Sequence, residues 1–406
     1  MQRTERHIIL KDKNLDHLCF LSKNLYNYTN YLFRQEFLKT GKLLDSYKLV
    51  GEMAKTNQID FKNIFSNQQI VYNVNRNWLS FCRAMKSYSK DPNKFYGKPK
   101  LPGFKHKTKG RNVAIFTNQQ CPIKNGYIYF PKKSNIQPLK TKIKGKLKQV
   151  RIIPQMSCHI IEVVYEKEKI GHNLKDTNFL SIDLGINNLA TCITNSTKES
   201  LLVNGKPLKS INQYYNKKQA KLMSFVKDKG TSNKLKQLTF KRNNKVNDYL
   251  HKTSRFIINY CIKHNIGTIV IGYNEQWKTN CNMGKVNNQK FTNIPFYKLI
   301  QQIQYKAEEN NINVKLTEES YTSKCDNLAL EPMQHQDNYL GRRIKRGLFQ
   351  SSTNKLINSD INGAIGISRK VFGDSLVQQE IINRGLALNP LKINTFKNVN
   401  LSIGSL

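Results

Sequence analysis

Two short segments of the chain each place one aspartate among apolar or small residues. Asp183 lies within Ser181–Ala190 (SIDLGINNLA), and Asp360 lies within Ile357–Ala364 (INSDINGA). Burying an unpaired carboxylate is costly unless a cation or another partner compensates the charge. The whole chain, with these two aspartates included, contains 67 basic and only 27 acidic residues. We interpret the two aspartates as metal ligands in chemistry on a nucleic acid.

The positive charge of the chain is the second constraint on its function. A formal net charge of +40 over 406 residues attracts polyanions and argues against a small neutral substrate. Residues 91–150 contain 15 Lys or Arg and one acid, and residues 211–250 contain 10 and two. Both blocks also contain aromatic residues, which is typical of phosphate tracking combined with stacking. Charge alone separates neither DNA from RNA nor binding from cleavage.

Carboxylates from separate strands and a helix could together hold divalent ions. In-line hydrolysis of a phosphodiester is helped by two hard ions about 3.5–4 Å apart, and Mg²⁺ prefers oxygen ligands. Asp183 would be one ligand and Asp360 another. Taken alone, Asp183 is equally typical of a turn residue before Gly185, and Asp360 is equally typical of a helix N-cap. Their joint occurrence in this order favours the metal site.

The elements that must position these residues follow from apolar periodicity. In the first part of the chain, the spacing predicts a strand at 7–10, helices at 14–38 and 67–87, and short strands at 113–116, 127–130, 149–153 and 159–165. The short strands are typical of a small β-barrel. In the second part, it predicts a hairpin over 179–184 and 189–194, a helix ending near 264, a strand at 267–272, a helix at 296–309, a strand at 314–319 and a final helix from 360. This order is that of an RNase H-like α/β layer.

Length, cysteine usage and hydropathy limit the remaining classes. A chain of 406 residues with 38% hydrophobic composition can bury two or three domain cores. The eight cysteines include no CxxC pair, so we expect reduced thiols rather than disulfides or a zinc knuckle. No segment approaches the ~20 apolar residues of a membrane span, and we expect a soluble cytoplasmic protein without a membrane partner.

Four ordered segments closely resemble TnpB, the transposon-encoded RNA-guided nuclease family related to type V CRISPR effectors. They are Ser181–Ala190, Ile271–Asn274, Glu319–Lys324 and Asn358–Ala364. The resemblance implies an α/β multi-domain protein with a wedge-like β-barrel (1–12 and 96–170), a helical recognition insertion (13–95) and a RuvC nuclease domain (177–375). The sequence pattern itself predicts a loosely packed C-terminal tail at 376–406.

The same resemblance implies partners and a cofactor. These are a guide RNA from the transposon end and a target double-stranded DNA beside a short transposon-associated motif, with no obligate protein partner. The location would be the prokaryotic cytosol or nucleoid. Two Mg²⁺ ions, with Mn²⁺ as an alternative, would be held by Asp183, a glutamate and Asp360.

The chain departs from the family pattern at its second catalytic acid. Gly272 stands where the family usually has Glu at the end of a strand. Glu318 and Glu319, at the end of what should be the neighbouring strand about 4.8 Å away, are candidate replacements, as is Glu275. We rank Glu319 first, because strand alternation should turn Glu318 into the core. A charged strand end without a metal remains the alternative.

A second departure lies in the target nucleic-acid-binding insertion at 324–354, where many relatives carry four zinc-binding cysteines. Only Cys325 is present, so no zinc is expected. Tyr321, Thr322, Ser323 and Lys324 could hold the substrate backbone, and Trp277 and Lys278 could line the same groove, although an aromatic residue there is more often part of a core. The residues expected to contact nucleic acid are Lys98, Lys100, Lys105, Lys107, Tyr321, Ser323, Lys324, Arg342, Arg343, Lys345 and Arg346.

These features together predict an RNA-guided DNA endonuclease in which base pairing supplies the sequence choice. The alternative is a nuclease-inactive RNA-guided DNA-binding regulator. The loss of an acid at Gly272 favours the regulator, and retention of Asp183 and Asp360 favours the nuclease. A strand-transferring transposase is a third reading, which would need no guide.

Overall fold

The computed structural model describes residues 1–10, 12–155, 157–226, 230–274 and 284–395. The chain divides into two compact units, Met1–Glu168 and Lys169–Leu406. Three residues singled out above, Glu275, Trp277 and Lys278, lie outside the described residues. Within the described ranges, no helix is both long and apolar enough to cross a membrane.

The first unit contains a four-stranded antiparallel sheet and a smaller three-stranded one. The larger sheet has the order β1-β7-β6-β2, and the smaller has the order β3-β4-β5. The strands are β1 (Gln2–Leu10), β2 (Ala114–Thr117), β3 (Ile123–Lys124), β4 (Tyr127–Ile128), β5 (Leu139–Lys140), β6 (Leu147–Pro154) and β7 (Cys158–Glu166). No pairing between the described strands closes the larger sheet, so the wedge-like barrel stays a prediction.

Four helices lie between β1 and β2, where a helical insertion is predicted. They are α1 (Lys13–Thr40), α2 (Ser46–Lys55), α3 (Ile59–Lys62) and α4 (Asn67–Lys90). Trp78 of α4 is fully buried, and its indole Nε1 donates to Asn30 Oδ1 of α1 at 2.8 Å. The apolar faces of α1 and α4 therefore pack on each other around this ring, as the helical periodicity indicates.

Hydrogen bonds attach the basic loop after α4, at residues 98–107, to helix α1. Lys23 Nζ donates to the Lys107 carbonyl at 2.6 Å, and the Asn27 amide both donates to the Lys105 carbonyl and accepts from its N–H. Asn30 donates to the Pro102 carbonyl. These bonds use backbone atoms, so the four lysines predicted to bind nucleic acid remain exposed. They are Lys98, Lys100, Lys105 and Lys107.

The second unit is built on a mixed six-stranded sheet with the order β12-β11-β8-β9-β10-β16. Strands β8 and β9 form the predicted antiparallel hairpin, and β11 and β12 run parallel to β8. The strands are β8 (Lys175–Asp183), β9 (Asn188–Thr194), β10 (Leu201–Asn204), β11 (Ile266–Gly272), β12 (Asn313–Thr317) and β16 (Leu391–Ile393). Because β8, β11 and β12 are parallel, their carboxyl ends meet at one edge of the sheet.

Helices cover both faces of this sheet. The helices are α5 (Lys206–Met223), α6 (Asn233–Lys263), α7 (Lys285–Thr292), α8 (Phe296–Glu309), α9 (Ser359–Phe372) and α10 (Asp374–Val377). Residues of α6 and α8 share one apolar cluster with the strands, and α9 belongs to a second cluster. A separate three-stranded sheet consists of β13 (Arg342–Lys345), β14 (Leu348–Gln350) and β15 (Leu356–Asn358) and leads into α9.

The expectation of a loosely packed tail is wrong for residues 376–395. Val377, Ile381 and Leu386 are buried in the cluster around α9, and β16 adds a parallel strand beside β10. The physical reason is that these apolar residues complete the second core, although they lack a clear helical or strand period.

Candidate metal and nucleic-acid site

Asp183 is the last residue of β8 and lies directly over a glycine of α9. A Cβ added at Gly363 would stand 2.6 Å from Asp183 Oδ2, which is closer than real Cβ atoms approach. The close approach of strand and helix at this point therefore requires glycine. The INSDINGA segment therefore supplies Gly363, which leaves room for the Asp183 carboxylate, and also supplies Asp360.

Asp360 lies in the first turn of α9 but does not cap the helix. The cap is Asn358, whose side chain accepts from the Asp360 N–H at 2.9 Å. Asp360 Oδ2 instead accepts from Nδ2 of Asn188 at 2.8 Å, and Asn188 belongs to the hairpin that carries Asp183. One oxygen of Asp360 is thus fixed in orientation by an amide, in the manner of a hydrogen-bonded ligating carboxylate.

The Glu319 side chain fills the space next to Gly272, the residue that stands where the TnpB family usually has a glutamate. A Cβ at Gly272 would meet Glu319 Oε1 at 2.5 Å and Glu319 Cγ at 2.7 Å. The Glu319 backbone is held by its N–H, which donates to Asn274 Oδ1 at 2.8 Å. Glu319 Oε1 is buried and has no hydrogen-bond partner. A buried orphan oxygen of this kind requires an explanation, and a bound cation would provide one.

Glu318 lies elsewhere, and its expected position in the core is wrong. Strand β12 ends at Thr317, so strand alternation no longer applies to the next residue. The Glu318 carboxylate is exposed and pairs with Lys370 Nζ at 2.8 Å. That ion pair lowers the pKa of Glu318. Because β12 is an edge strand, even Leu316 on the same face is 43% exposed.

The charges of Glu319 and Asp360 act on the carboxylate of Asp183. Burial raises the pKa of Asp183 well above its usual range, and the Glu319 and Asp360 charges raise it further, while Arg343 opposes them. Burial also raises the pKa of Glu319 to about 7. Both shifts disfavour full ionisation of the site without a compensating cation.

The donor set suits a hard divalent ion in its chemistry. All three side chains offer oxygen, Glu319 Oε1 is orphaned, and Gly363 admits Asp183 without obstruction. Across the residues that the structure describes, however, no three His, Cys, Asp or Glu side chains stand close enough to hold a metal ion as they are. The three carboxylates nevertheless lie within electrostatic range, since the charges of Glu319 and Asp360 act on Asp183.

A buried hydrogen-bond network organises the insertion in which zinc is not expected. Asp326 is fully buried, and its Oδ2 accepts from Ser351 Oγ, Ser352 N–H and Ser352 Oγ at 2.7–2.9 Å. Its Oδ1 accepts from two further backbone N–H groups. A carboxylate with this many donors joins the two ends of the insertion much as a metal would.

The same network reaches α9. The Asn327 amide donates to the Thr322 and Asn362 carbonyls, and Asn327 Oδ1 accepts from Arg369 at 2.9 Å. Arg369 is 3% exposed and also pairs with Asp374. Sequence reasoning missed these residues, whose only signal was a set of polar residues beside the lone cysteine.

The basic residues of the insertion lie mainly in the hairpin of β13 and β14, where Arg342, Arg343, Lys345 and Arg346 are exposed. Arg343 is close enough to Asp183 to act on its charge. Arg342 Nε donates to Gln350 Oε1 at 3.2 Å. Tyr321, Ser323 and Lys324 are also exposed, just after Glu319. The structure therefore places Arg343 within electrostatic range of Asp183, while the phosphate-binding roles stay predictions.

Comparison with known proteins gives two family matches and a structural neighbour. Residues 162–278 match the OrfB_IS605 family, described as a probable transposase, and residues 296–367 match the TNB domain of Cas12f1-like proteins. Cas12f1, solved in a complex with sgRNA and target DNA, is 15% identical, with a TM-score of 0.56 over 87% of this chain and 81% of Cas12f1. The chain thus has the mixed α/β, multi-domain fold of a Cas12-like effector.

A TnpB-like protein from Methanocaldococcus jannaschii is 28% identical over 124 residues, which is 29% of this chain and 43% of the relative. The chain thus spans under half the length of the curated relative that it matches. Together, the family matches and this relative support a TnpB-family protein. The resemblance drawn from the four motifs is confirmed.

Proposed function

We propose that the protein is an RNA-guided DNA endonuclease whose nuclease site, of RuvC type, consists of Asp183, Glu319 and Asp360. The observation that carries this proposal is the position of the Glu319 carboxylate, which fills the space left by Gly272 and acts electrostatically on Asp183. In this proposal Glu319, two residues beyond the end of β12, takes the place of the acid that the family usually has at the end of β11.

In this proposal each residue has a separate task. Asp183, Glu319 and Asp360 would hold Mg²⁺, which when bound would activate a water nucleophile and stabilise the leaving oxygen of a phosphodiester. Asn188 orients the Asp360 carboxylate. Arg343 offsets the negative charge at Asp183 and, being exposed, is available to the phosphate of the strand being cut.

The partners are proposed from the relatives. The Cas12f1 structure contains sgRNA and target DNA, and the net charge of +40 suits two polyanionic partners. We infer a guide RNA encoded with the transposon and a double-stranded DNA target beside a short flanking motif. Unit Met1–Glu168 would contribute the exposed lysines at 98–107, which α1 holds in a fixed extended loop.

The proposal is tested by cleavage with the purified ribonucleoprotein. RNA that co-purifies with the protein is sequenced, and a plasmid library carrying the matching target beside randomised flanks is incubated with Mg²⁺. We expect Mg²⁺-dependent cutting next to one flanking motif, absent in Asp183→Ala. Cutting that persists in Asp183→Ala, or co-purifying RNA without a defined guide end, would contradict the proposal.

A guide-directed DNA binder without nuclease activity is the second candidate. It is favoured by one observation, namely that no three carboxylates among the described residues are yet close enough to hold an ion. Under this alternative the ribonucleoprotein binds the matching target with the same affinity in wild type and Asp183→Ala, and neither cuts it.

A further inference from the structure

Four basic side chains from three elements of the second unit lie together. They are Lys206 and Lys209 of α5, Lys290 of α7 and Arg346 in the turn between β13 and β14. The pKa of Lys209 is lowered by burial and then by the charges of Arg346, Lys290 and Lys206, which places all four within electrostatic range. Among the described residues, none of the four forms an ion pair with an acid.

Hydrogen bonds attach Lys209 to the acid site. Lys209 Nζ donates to Asn187 Oδ1 at 2.8 Å, and the next residue, Asn188, donates to Asp360 Oδ2 at 2.8 Å. The start of α5 is fixed to the same turn, because the Gly205 N–H donates to the Asn187 carbonyl at 2.7 Å. Lys209 is therefore held two side chains away from Asp360.

Arg346 is attached to the same site through a different element. The carbonyl of the following residue, Gly347, accepts from the Ser359 N–H at 3.2 Å. Ser359 immediately precedes Asp360 at the start of α9. The hairpin turn that carries Arg346 is thus fixed beside the first turn of the helix that supplies the acid.

The helix that carries Lys290 is anchored to α5 and α6. The Asn293 carbonyl, just past the end of α7, accepts from Arg242 of α6 at 2.6 Å and from Asn212 of α5 at 3.5 Å. Asn212 lies one turn after Lys209, so these bonds hold the end of α7 near the other cations.

We propose that Lys206, Lys209, Lys290 and Arg346 form a binding surface for the backbone phosphates of the nucleic-acid strand that enters the acid site. A phosphodiester beside three carboxylates is repelled, and nearby cations offset that repulsion. Lys206, Lys290 and Arg346 are exposed, as phosphate contacts require. The proposal rests on the proposed function for the identity of the strand, a DNA strand to be cut.

The test compares two variants that each remove three positive charges from the second unit. The cluster variant is Lys206→Gln, Lys209→Gln and Arg346→Gln. The control variant is Lys175→Gln, Lys198→Gln and Lys263→Gln, all exposed in the wild type. Lys175 begins β8, Lys263 precedes β11 and Lys198 follows β9, so the control residues lie at the opposite edge of the sheet from Asp183.

Binding of a dye-labelled single-stranded DNA 20-mer is measured by fluorescence anisotropy over a salt series, with EDTA present so that nothing is cut. Each lost phosphate contact lowers the slope of log K against log salt by about 0.7, so the cluster variant should lose about 2. The control variant should lose less than half of that. Equal losses in the two variants, or an unchanged slope in the cluster variant, would overturn the proposal.

Two further measurements keep the result interpretable. The single variant Arg346→Gln changes one exposed side chain and should lower the slope by about 0.7 even if the triple variant is unstable. Because the assay needs no cleavage, a slope loss in a protein that never cuts DNA supports this surface and contradicts the proposed nuclease. If the wild-type protein cuts DNA but the cluster variant has an unchanged slope, the result supports the proposed nuclease and contradicts this surface.

Discussion

The carboxylate of Glu319 occupies the space that a side chain at Gly272 would need. The two residues lie at the ends of paired parallel strands, since Gly272 is in register with Thr317, two residues before Glu319. A Cβ at position 272 would stand 2.5 Å from Glu319 Oε1 and 2.5 Å from Ile367 Cδ1. A glutamate at position 272 and a glutamate at position 319 cannot be accommodated together. Gly272 and Glu319 therefore form a matched pair.

This pairing predicts that the acid can be moved back. Glu319→Gln should reduce Mg²⁺-dependent cleavage at least ~100-fold, because a metal ligand is lost. Gly272→Glu alone should be equally inactive and less stable because of the two clashes. The triple variant Gly272→Glu, Glu319→Gly, Ile367→Val removes both obstructing groups and should recover measurable single-turnover cleavage.

Glu318→Gln is the matched control, since it changes the neighbouring glutamate, whose exposed carboxylate pairs with Lys370 and accepts hydrogen bonds from the Ser320 N–H and hydroxyl. It should cut at nearly the wild-type rate. The account is wrong if Glu318→Gln loses activity to the same extent as Glu319→Gln.

A methyl group at Gly363 should abolish the proposed cleavage without unfolding the protein. In Gly363→Ala the new Cβ would stand 2.6 Å from Asp183 Oδ2 and would displace the carboxylate. Gly51→Ala is the control, because Gly51 is also inside a helix but has nothing within 4 Å of its added Cβ. Gly51→Ala should gain about 0.5–1 kcal/mol in urea unfolding and keep full activity. Full activity in Gly363→Ala would show that Asp183 is not held there.

The buried carboxylates predict a pH-dependent stability in the metal-free protein. Burial raises the pKa of Glu319 to about 7 in the folded state, so its protonated form is favoured there. Its contribution to stability is complete below its usual pKa of 4.5 and is lost as the pH rises through 7. Between pH 5.5 and 8 the free energy of unfolding in EDTA should fall by about 2 kcal/mol on account of this group.

Urea unfolding of wild type and Glu319→Gln at both pH values measures the contribution of Glu319, together with the effect of its charge on Asp183. The difference between the two pH values should shrink by about 2 kcal/mol in Glu319→Gln. Glu318→Gln should keep most of the wild-type difference in unfolding free energy between the two pH values. The pKa of Glu318 is lowered, so this group stays ionised throughout the range. An identical pH dependence in Glu319→Gln would contradict a buried, orphaned carboxylate.

The insertion at 324–354 should fold without zinc. Asp326→Ala would leave several buried donors without an acceptor and should cost about 2–4 kcal/mol, whereas Ser352→Ala should cost only about 1 kcal/mol. Elemental analysis should find far less than one zinc per chain, and 1,10-phenanthroline should not change the melting temperature. Stoichiometric zinc whose removal lowers the melting temperature would refute this assignment.

Much of the second unit follows from local patterns in the sequence. Alternating and β-branched runs identify β8, β9 and β11, and the INSDINGA segment correctly predicts a helix beginning near Asp360. The four motifs place Asp183 and Glu319 at strand ends, where the structure also finds Asp183 and, two residues beyond its strand, Glu319. These features depend on residues close in sequence, for which periodicity is informative.

Contacts between distant segments were not predictable in the same way. Glu318 is exposed because β12 ends at Thr317 and because its carboxylate pairs with Lys370 of α9. The Asp326 network depends on serines 25 and 26 residues later. The cluster around Lys209 needs the spatial proximity of α5, α7 and a hairpin, which no local period encodes.

The most direct test of the account is to locate the metal. Crystals soaked in MnCl₂ at pH 8, measured at the manganese absorption edge, give an anomalous difference map that needs neither guide RNA nor activity. The account predicts a peak bounded by carboxylate oxygens of Asp183, Glu319 and Asp360, and no such peak in crystals of Glu319→Gln. A wild-type map without density there, or with an ion that Glu319 does not touch, would contradict the relocated acid.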